Sequence, residues 1–162
     1  MRSSLPRFLL TFLLCALPFA ARADLAPGDQ VPAFDTTLLD GSVVKANALA
    51  GKPLLVVFWA TWCPICRREL PKLQQLYDQH KASGFEILGL SIDNEQVEVE
   101  LFQQEHRYTF PIGMRTAQHS ATFDHVRLPP RFYLIDRSGK LVWKHVGAIR
   151  DDRLEAALKP LL

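Results

Sequence analysis

The sequence predicts a single α/β domain with a short β-hairpin at its front. Three observations predict it. Two continuous apolar runs, Pro53 to Trp59 and Phe85 to Ile92, read as strands buried on both faces of a sheet. Between them Leu70, Leu73, Leu76 and Tyr77 recur at helical spacing, from Cys66 to about Lys81, and Gly84 follows as a stop. Further on, Arg131 to Ile135 and Leu141 to Val146 flank the turn Asp136-Arg137-Ser138-Gly139 and read as a second hairpin. The order is βαβ, a helical connection, then ββα.

The remaining elements follow in chain order. Asp24 to Pro32 is an extended lead-in, and Phe34 to Leu38 pairs with Ser42 to Val44 around the turn signal Asp40-Gly41. Asn47 to Ala50 forms one helical turn ended by Gly51. Residues 95 to 108 predict a helix that buries a stripe of Val97, Leu101 and Phe102, with its acidic and Gln neighbours facing water. Phe110-Pro111-Ile112 is a short extended piece and Thr116 to Phe123 a short helix. Asp151 caps a last helix through Leu158, whose apolar face is Leu154, Ala157, Leu158 and Leu161.

The chain has 162 residues, three cysteines and a formal charge of +2, and both totals change once the N-terminus is read. Arg2 and Arg7 precede an apolar run from Phe8 to Leu17, Pro18 breaks it, and Ala21-Arg22-Ala23 has the small-x-small pattern of a signal-peptidase site. Residues 1–23 are therefore expected to be a signal peptide and residues 24–162 the domain, with periplasmic export. An uncleaved segment would be a membrane anchor instead. Cleavage removes Arg2, Arg7 and Arg22 and no acid, so the 19 basic residues fall by three to 16 against 17 acidic ones. The remainder carries about one negative charge and no basic run or aromatic-interleaved basic stripe, which leaves nucleic acid unsupported as a partner.

Cys15 leaves with the signal, and Cys63 and Cys66 remain as a single C-x-x-C at a strand-to-helix junction. At the first turn of a helix, unpaired N–H groups and the positive end of the dipole favour a thiolate. Arg67 and Arg68 add positive potential nearby. A thiolate with a second cysteine one turn on is suited to thiol–disulfide exchange: Cys63 attacks a partner disulfide and Cys66 resolves the mixed disulfide. No metal site and no cofactor are expected. Structural zinc needs about four ligands, whereas there is one C-x-x-C and the five histidines show no paired spacing. A c-type haem site requires His where Arg67 stands. A structural bridge over so short a loop would stabilise little.

Three blocks in order, Gly51-Lys52-Pro53, W-A-T-W-C-P-I-C-R-R-E-L-P from Trp59 to Pro71, and Pro129-Pro130-Arg131 through Gly139, make the chain resemble the thioredoxin superfamily. Within it, the likeness is to the periplasmic TlpA/ResA/CcmG (DsbE)-like branch, from Gly28 to Leu162, and C-P-I-C is also similar to ScsD-like proteins. The resemblance implies a thioredoxin-like fold, with a central mixed sheet flanked by helices. It implies catalytic roles for Cys63 and Cys66, a cis-proline at Pro130 offering backbone hydrogen bonds to substrate, and contacts to substrate from Trp62, Pro64, Ile65 and Pro129. Pro71 matches a kinking proline of the active-site helix.

Glu69 coincides with a glutamate of the ResA and CcmG groups and is expected to tune the thiols or shuttle the Cys66 proton. The alternative is a solvated helix acid paired with Lys72 or Arg68. Val57 stands where thioredoxins proper carry a buried Asp. Trp59 and Trp62 are expected to pack beside the cysteines and shield them, Trp143 to belong to a strand surface or core, and His119 and His125 to be ordinary polar residues.

The function implied is a thiol:disulfide oxidoreductase acting on protein thiols and disulfides, a reductase in direction. It would serve cytochrome c maturation or copper and oxidative stress, with a DsbD-type membrane reductase as donor. Two alternatives stay open at this point: a peroxiredoxin-like thiol peroxidase, although Thr61 and Val57 do not fit that motif, and a metallochaperone holding Cu(I) between soft thiolates.

Overall fold

The computed structural model describes residues 24–150 and 152–162, so the expected signal peptide with Cys15 and the cap expected at Asp151 lie outside the described residues. The Asp40-Gly41 signal closes a hairpin in which β1 (Thr36–Thr37) pairs antiparallel with β2 (Val43–Val44). Gly41 takes φ +82°, which a side chain would resist, and the Asp40 carboxylate accepts from Ser42 N–H at 2.9 Å and Ser42 Oγ–H at 2.6 Å. The single turn α1 (Ala46–Leu49) follows.

The domain proper runs β3 (Leu54–Trp59), α2 (Pro64–His80), β4 (Glu86–Ser91), α3 (Gln96–His106), β5 (Ile112–Met114), α4 (Ala117–Thr122), β6 (Arg131–Ile135), β7 (Leu141–Val146) and α5 (Arg153–Leu158). Asp152 holds the N-cap position of α5. The sheet order is β5-β4-β3-β6-β7. β3, β4 and β5 are parallel, while β6 pairs antiparallel with both β3 and β7. The short extended piece expected near Ile112 is thus a paired edge strand, displaced a little toward Met114.

All six residues of β3 are buried, as a strand covered on both faces requires. Leu55, Val57 and Trp59 point to one face and join Leu70 and Leu73 of α2, Phe102 of α3 and Leu154 of α5. Leu54, Val56 and Phe58 point to the other face and join Phe34, Phe123 and Tyr133. Phe58, Phe123 and Tyr133 meet there with ring centroids 4.9–5.8 Å apart.

The buried face of α3 differs from the expected one. Val99 and Phe102 are buried, whereas Val97 and Leu101 are 57% and 62% exposed. The helix turns to bury Phe102, whose ring lies 5.5 Å from Trp59 and 4.1 Å from the stacked ring of His106. Val99 lies three residues before Phe102 on the same face.

The hairpin is tied to the domain through His119 of α4, which is fully buried. Its Nδ1 accepts from Thr116 N–H at 3.0 Å, so Nε2 carries the proton and faces Thr36 Oγ1 at 3.0 Å and the Asp35 carbonyl at 3.2 Å. Burial holds this imidazole below the ordinary histidine pKa, partly offset by the Asp35 carbonyl, in keeping with a neutral structural ring. Asp124, also buried, accepts from Leu25 N–H and Tyr133 Oη–H and pairs with Lys144, fixing the lead-in to the sheet. Burial opposes its charge, but the hydrogen bonds from Lys144 and Tyr133 outweigh it and leave the carboxyl below its usual range. Among the described residues no helix is long and apolar enough to cross a membrane.

Candidate active site

β3 delivers the chain at Trp59 to the edge of the sheet, and the segment Ala60 to Trp62 must turn it into α2. A carboxylate holds that turn. Asp93, just past β4, accepts from Thr61 N–H at 3.0 Å, Thr61 Oγ–H at 2.6 Å and Ser91 Oγ–H at 2.6 Å, and is itself buried. Asp93 directly follows the apolar run Phe85 to Ile92, and nothing local in the sequence marks it as a site residue. Ser91-x-Asp93 was visible, but that its partner is Thr61, 32 residues away, was not.

Cys63 then occupies the N-cap of α2 in extended conformation, with Pro64 at the first helical position, where its missing N–H costs nothing. The helix therefore starts at Pro64 and not at Cys66, because the cysteine sulfur itself serves as the cap acceptor: Cys66 N–H donates to Cys63 Sγ at 3.2 Å. Cys63 and Cys66 are joined as a disulfide with Cα atoms 5.2 Å apart. Both residues are almost fully buried. When the bond is reduced, the same N–H and the helix terminus favour a thiolate on Cys63.

The peptide bond between Pro129 and Pro130 is cis. It brings the Pro129 carbonyl oxygen to 3.6 Å from Cys63 Sγ. Pro130 is buried, and its carbonyl accepts from Gly147 N–H at 2.9 Å, so the turn before β6 is fastened to the end of β7. Apolar residues next in sequence to the cysteines and to the cis-proline turn are exposed: Trp62 is 60% and Leu128 72% exposed, Pro64 is exposed and Ile65 half-buried. The two tryptophans expected beside the cysteines differ in burial. Trp59 belongs to the core cluster that contains both cysteines, while Trp62 is mostly exposed. Trp143 packs half-buried on β7, and His125 is exposed.

The neighbouring arginines also diverge. Arg67 lies over the Phe102 ring at 5.4 Å, and Arg68 is exposed on the side facing the end of β7. Glu69 is not a solvated helix acid: only 3% of it is exposed, and it borders a small cavity of about 100 Å³ with Leu73, Ile149 and Leu154. It does make the expected pair with Lys72, whose Nζ donates at 3.2 and 3.3 Å from a mostly exposed side chain. Pro71 lies within α2 without ending it. Val57, at the position of the thioredoxin Asp, is buried and apolar, so Glu69 is the buried acid on the active-site helix. Among the described residues no group of three or more His, Cys, Asp or Glu side chains could hold a metal ion.

A redox-active C-x-x-C at a helix N-terminus, faced by a cis-proline on a mixed five-stranded sheet, defines a thioredoxin-like thiol–disulfide oxidoreductase. Comparison with known proteins narrows this. Residues 26–158 match the Redoxin family model. The chain is 32% identical over 143 residues to the thiol-disulfide oxidoreductase ResA of Bacillus thuringiensis (strain Al Hakam), covering 88% of this chain and 83% of that protein. It is 30% identical over 164 residues to ResA of Oceanobacillus iheyensis, covering 94% and 85%. The crystal structure of a thiol:disulfide interchange protein of the thioredoxin family from Chlorobium tepidum TLS superposes with a TM-score of 0.76 at 26% identity, covering 86% of this chain and 99% of that one. The chain belongs to the Redoxin family, as a TlpA/ResA/CcmG-like thiol–disulfide oxidoreductase of the thioredoxin superfamily.

Proposed function

We propose that the protein is exported to the periplasm, loses residues 1–23, and there reduces disulfides of other proteins. The observation that carries the reading is the placement of Cys63 Sγ at the N-cap of α2, 3.2 Å from Cys66 N–H and 3.6 Å from the Pro129 carbonyl. The Cys63 thiolate attacks one sulfur of a substrate disulfide and the other sulfur leaves as a thiolate. The Cys66 thiolate then attacks Cys63 Sγ, releasing the reduced substrate and leaving the Cys63–Cys66 disulfide. Two electrons pass to the substrate, and a donor dithiol, of the kind carried by a DsbD-type membrane reductase, restores the pair. Trp62, Pro64, Ile65 and Pro129 form the surface that receives the substrate chain, and the buried Pro130 sets the turn behind it. Exported proteins whose cysteines must be kept reduced, apocytochrome c or copper-binding thiol proteins, are the proposed acceptors.

Direction is tested by equilibrating the full chain in dithiol redox buffers and counting free thiols. A reductase is expected to poise well below the strongly oxidising value of about −120 mV. A potential near that value would contradict the direction while leaving exchange itself intact.

Glu69 is proposed to take the proton released as Cys66 becomes nucleophilic, since it is the buried carboxylate one turn along the same helix. Glu69→Gln is expected to alter the pH profile of thiol alkylation in the reduced protein. Unchanged profiles for both cysteines would remove Glu69 from the mechanism.

A further inference from the structure

Beside the disulfide, a groove of about 700 Å³ runs between the start of α2 and the segment after β7. Ile65, which with Pro64 separates the two cysteines, lines it together with Arg68, Arg150 and Arg153. All three arginines are exposed, and no carboxylate among the described residues lines the groove or pairs with them. Asp152, although close in sequence, is exposed and is not part of its lining. His145 is already committed, its Nε2–H donating to the Ala148 carbonyl at 2.8 Å, so it shapes the wall.

This concentration of guanidinium groups runs against a domain in which 16 bases and 17 acids nearly balance once residues 1–23, with three of the 19 bases, are set aside. Several cations elsewhere are engaged. Lys144 and Arg131 pair with Asp124, and Arg137 donates to the carbonyls of Gly51 and Leu161. The wall is also registered to the reactive sulfur. Gly147 N–H donates to the Pro130 carbonyl at 2.9 Å, which fixes the arginine-bearing segment to the cis-proline beside Cys63.

We propose that this groove binds acidic residues flanking the reactive disulfide of the substrate protein, so that the preferred substrates present Asp or Glu a few residues from the cysteine that Cys63 attacks. The proposal rests on the thiol–disulfide exchange reading and adds the substrate's chemistry to it. Planar guanidinium forks match carboxylates in pairs of hydrogen bonds, and a cleft lined by one sign of charge accelerates encounter with the opposite sign. The groove lies to one side of the dithiol, so the acids belong on one side of the substrate cysteine.

The test uses the full chain with three substrates: two disulfide-bridged peptides of equal length, flanked by Asp/Glu or by Lys/Arg, and the small neutral hydroxyethyl disulfide. The acidic peptide is expected to be reduced with a kcat/KM about tenfold above the basic one at low ionic strength, a preference that shrinks in 0.5 M salt, where the screening length falls to a few ångströms. Arg150→Glu/Arg153→Glu is expected to abolish or invert the preference without changing reduction of hydroxyethyl disulfide. Equal rates for the two peptides at low salt, with the neutral disulfide still reduced, would overturn the groove and spare the exchange reading. If the wild-type chain reduces none of the three, the exchange reading itself fails. Should the double variant not fold, the salt dependence of the wild-type preference decides alone.

Discussion

Cys63→Ser is expected to lower disulfide reduction to the background rate of the added dithiol. Cys66→Ser stops turnover too, but only after a first attack. The difference follows from where the two sulfurs sit. Cys63 is at the N-cap, receives the Cys66 N–H and lies against the cis-proline turn, while Cys66 is the more deeply buried, within the first turn of α2. A nucleophile must meet a bulky substrate sulfur, and the surface open to one is that of Trp62, Pro64 and Leu128. Steady-state reduction of a peptide disulfide by the two variants, read beside a single-turnover burst, checks this. Equal bursts would exchange or merge the roles.

Asp93→Ala is expected to cost about 3 kcal/mol of stability, because it leaves buried or half-buried donors on Thr61 and Ser91 without their acceptor. For a domain of this size that is a fall in Tm of about 10 °C. The same change frees the segment between β3 and Cys63, so kcat/KM toward a peptide disulfide is expected to drop about tenfold at temperatures where the variant is still folded. Thermal melts and turnover assays check both effects. A melting temperature within a degree or two of wild type would show that the carboxylate is dispensable for that turn.

Much of the fold was legible because it rests on local chemistry. The apolar runs of β3 and β4 admit few arrangements other than central strands, and Asp40-Gly41 could hardly be anything but a turn. The cysteine pair was legible for the same reason, since strand, C-x-x-C and helix are consecutive. What escaped was whatever depends on the third dimension. Which stripe of α3 is buried was settled by Phe102 finding Trp59, not by the spacing of Val97 and Leu101. The burial of Glu69 is imposed by Ile149 and Leu154, some 80 residues downstream, and the clamp of Asp93 on Thr61 joins two loops on different strands. The basic groove joins Arg68 to Arg150 and Arg153 across the sheet edge, so no window of sequence contains it.

The central claim, that Cys63 is the sulfur that meets the substrate, is tested most directly by trapping. The reduced Cys66→Ser chain is mixed with a disulfide-bridged peptide, quenched with acid and digested, and the linked fragments are identified by mass. The account predicts a stable mixed disulfide between Cys63 and a peptide cysteine. No adduct, or an adduct carried by Cys15 alone, would contradict it.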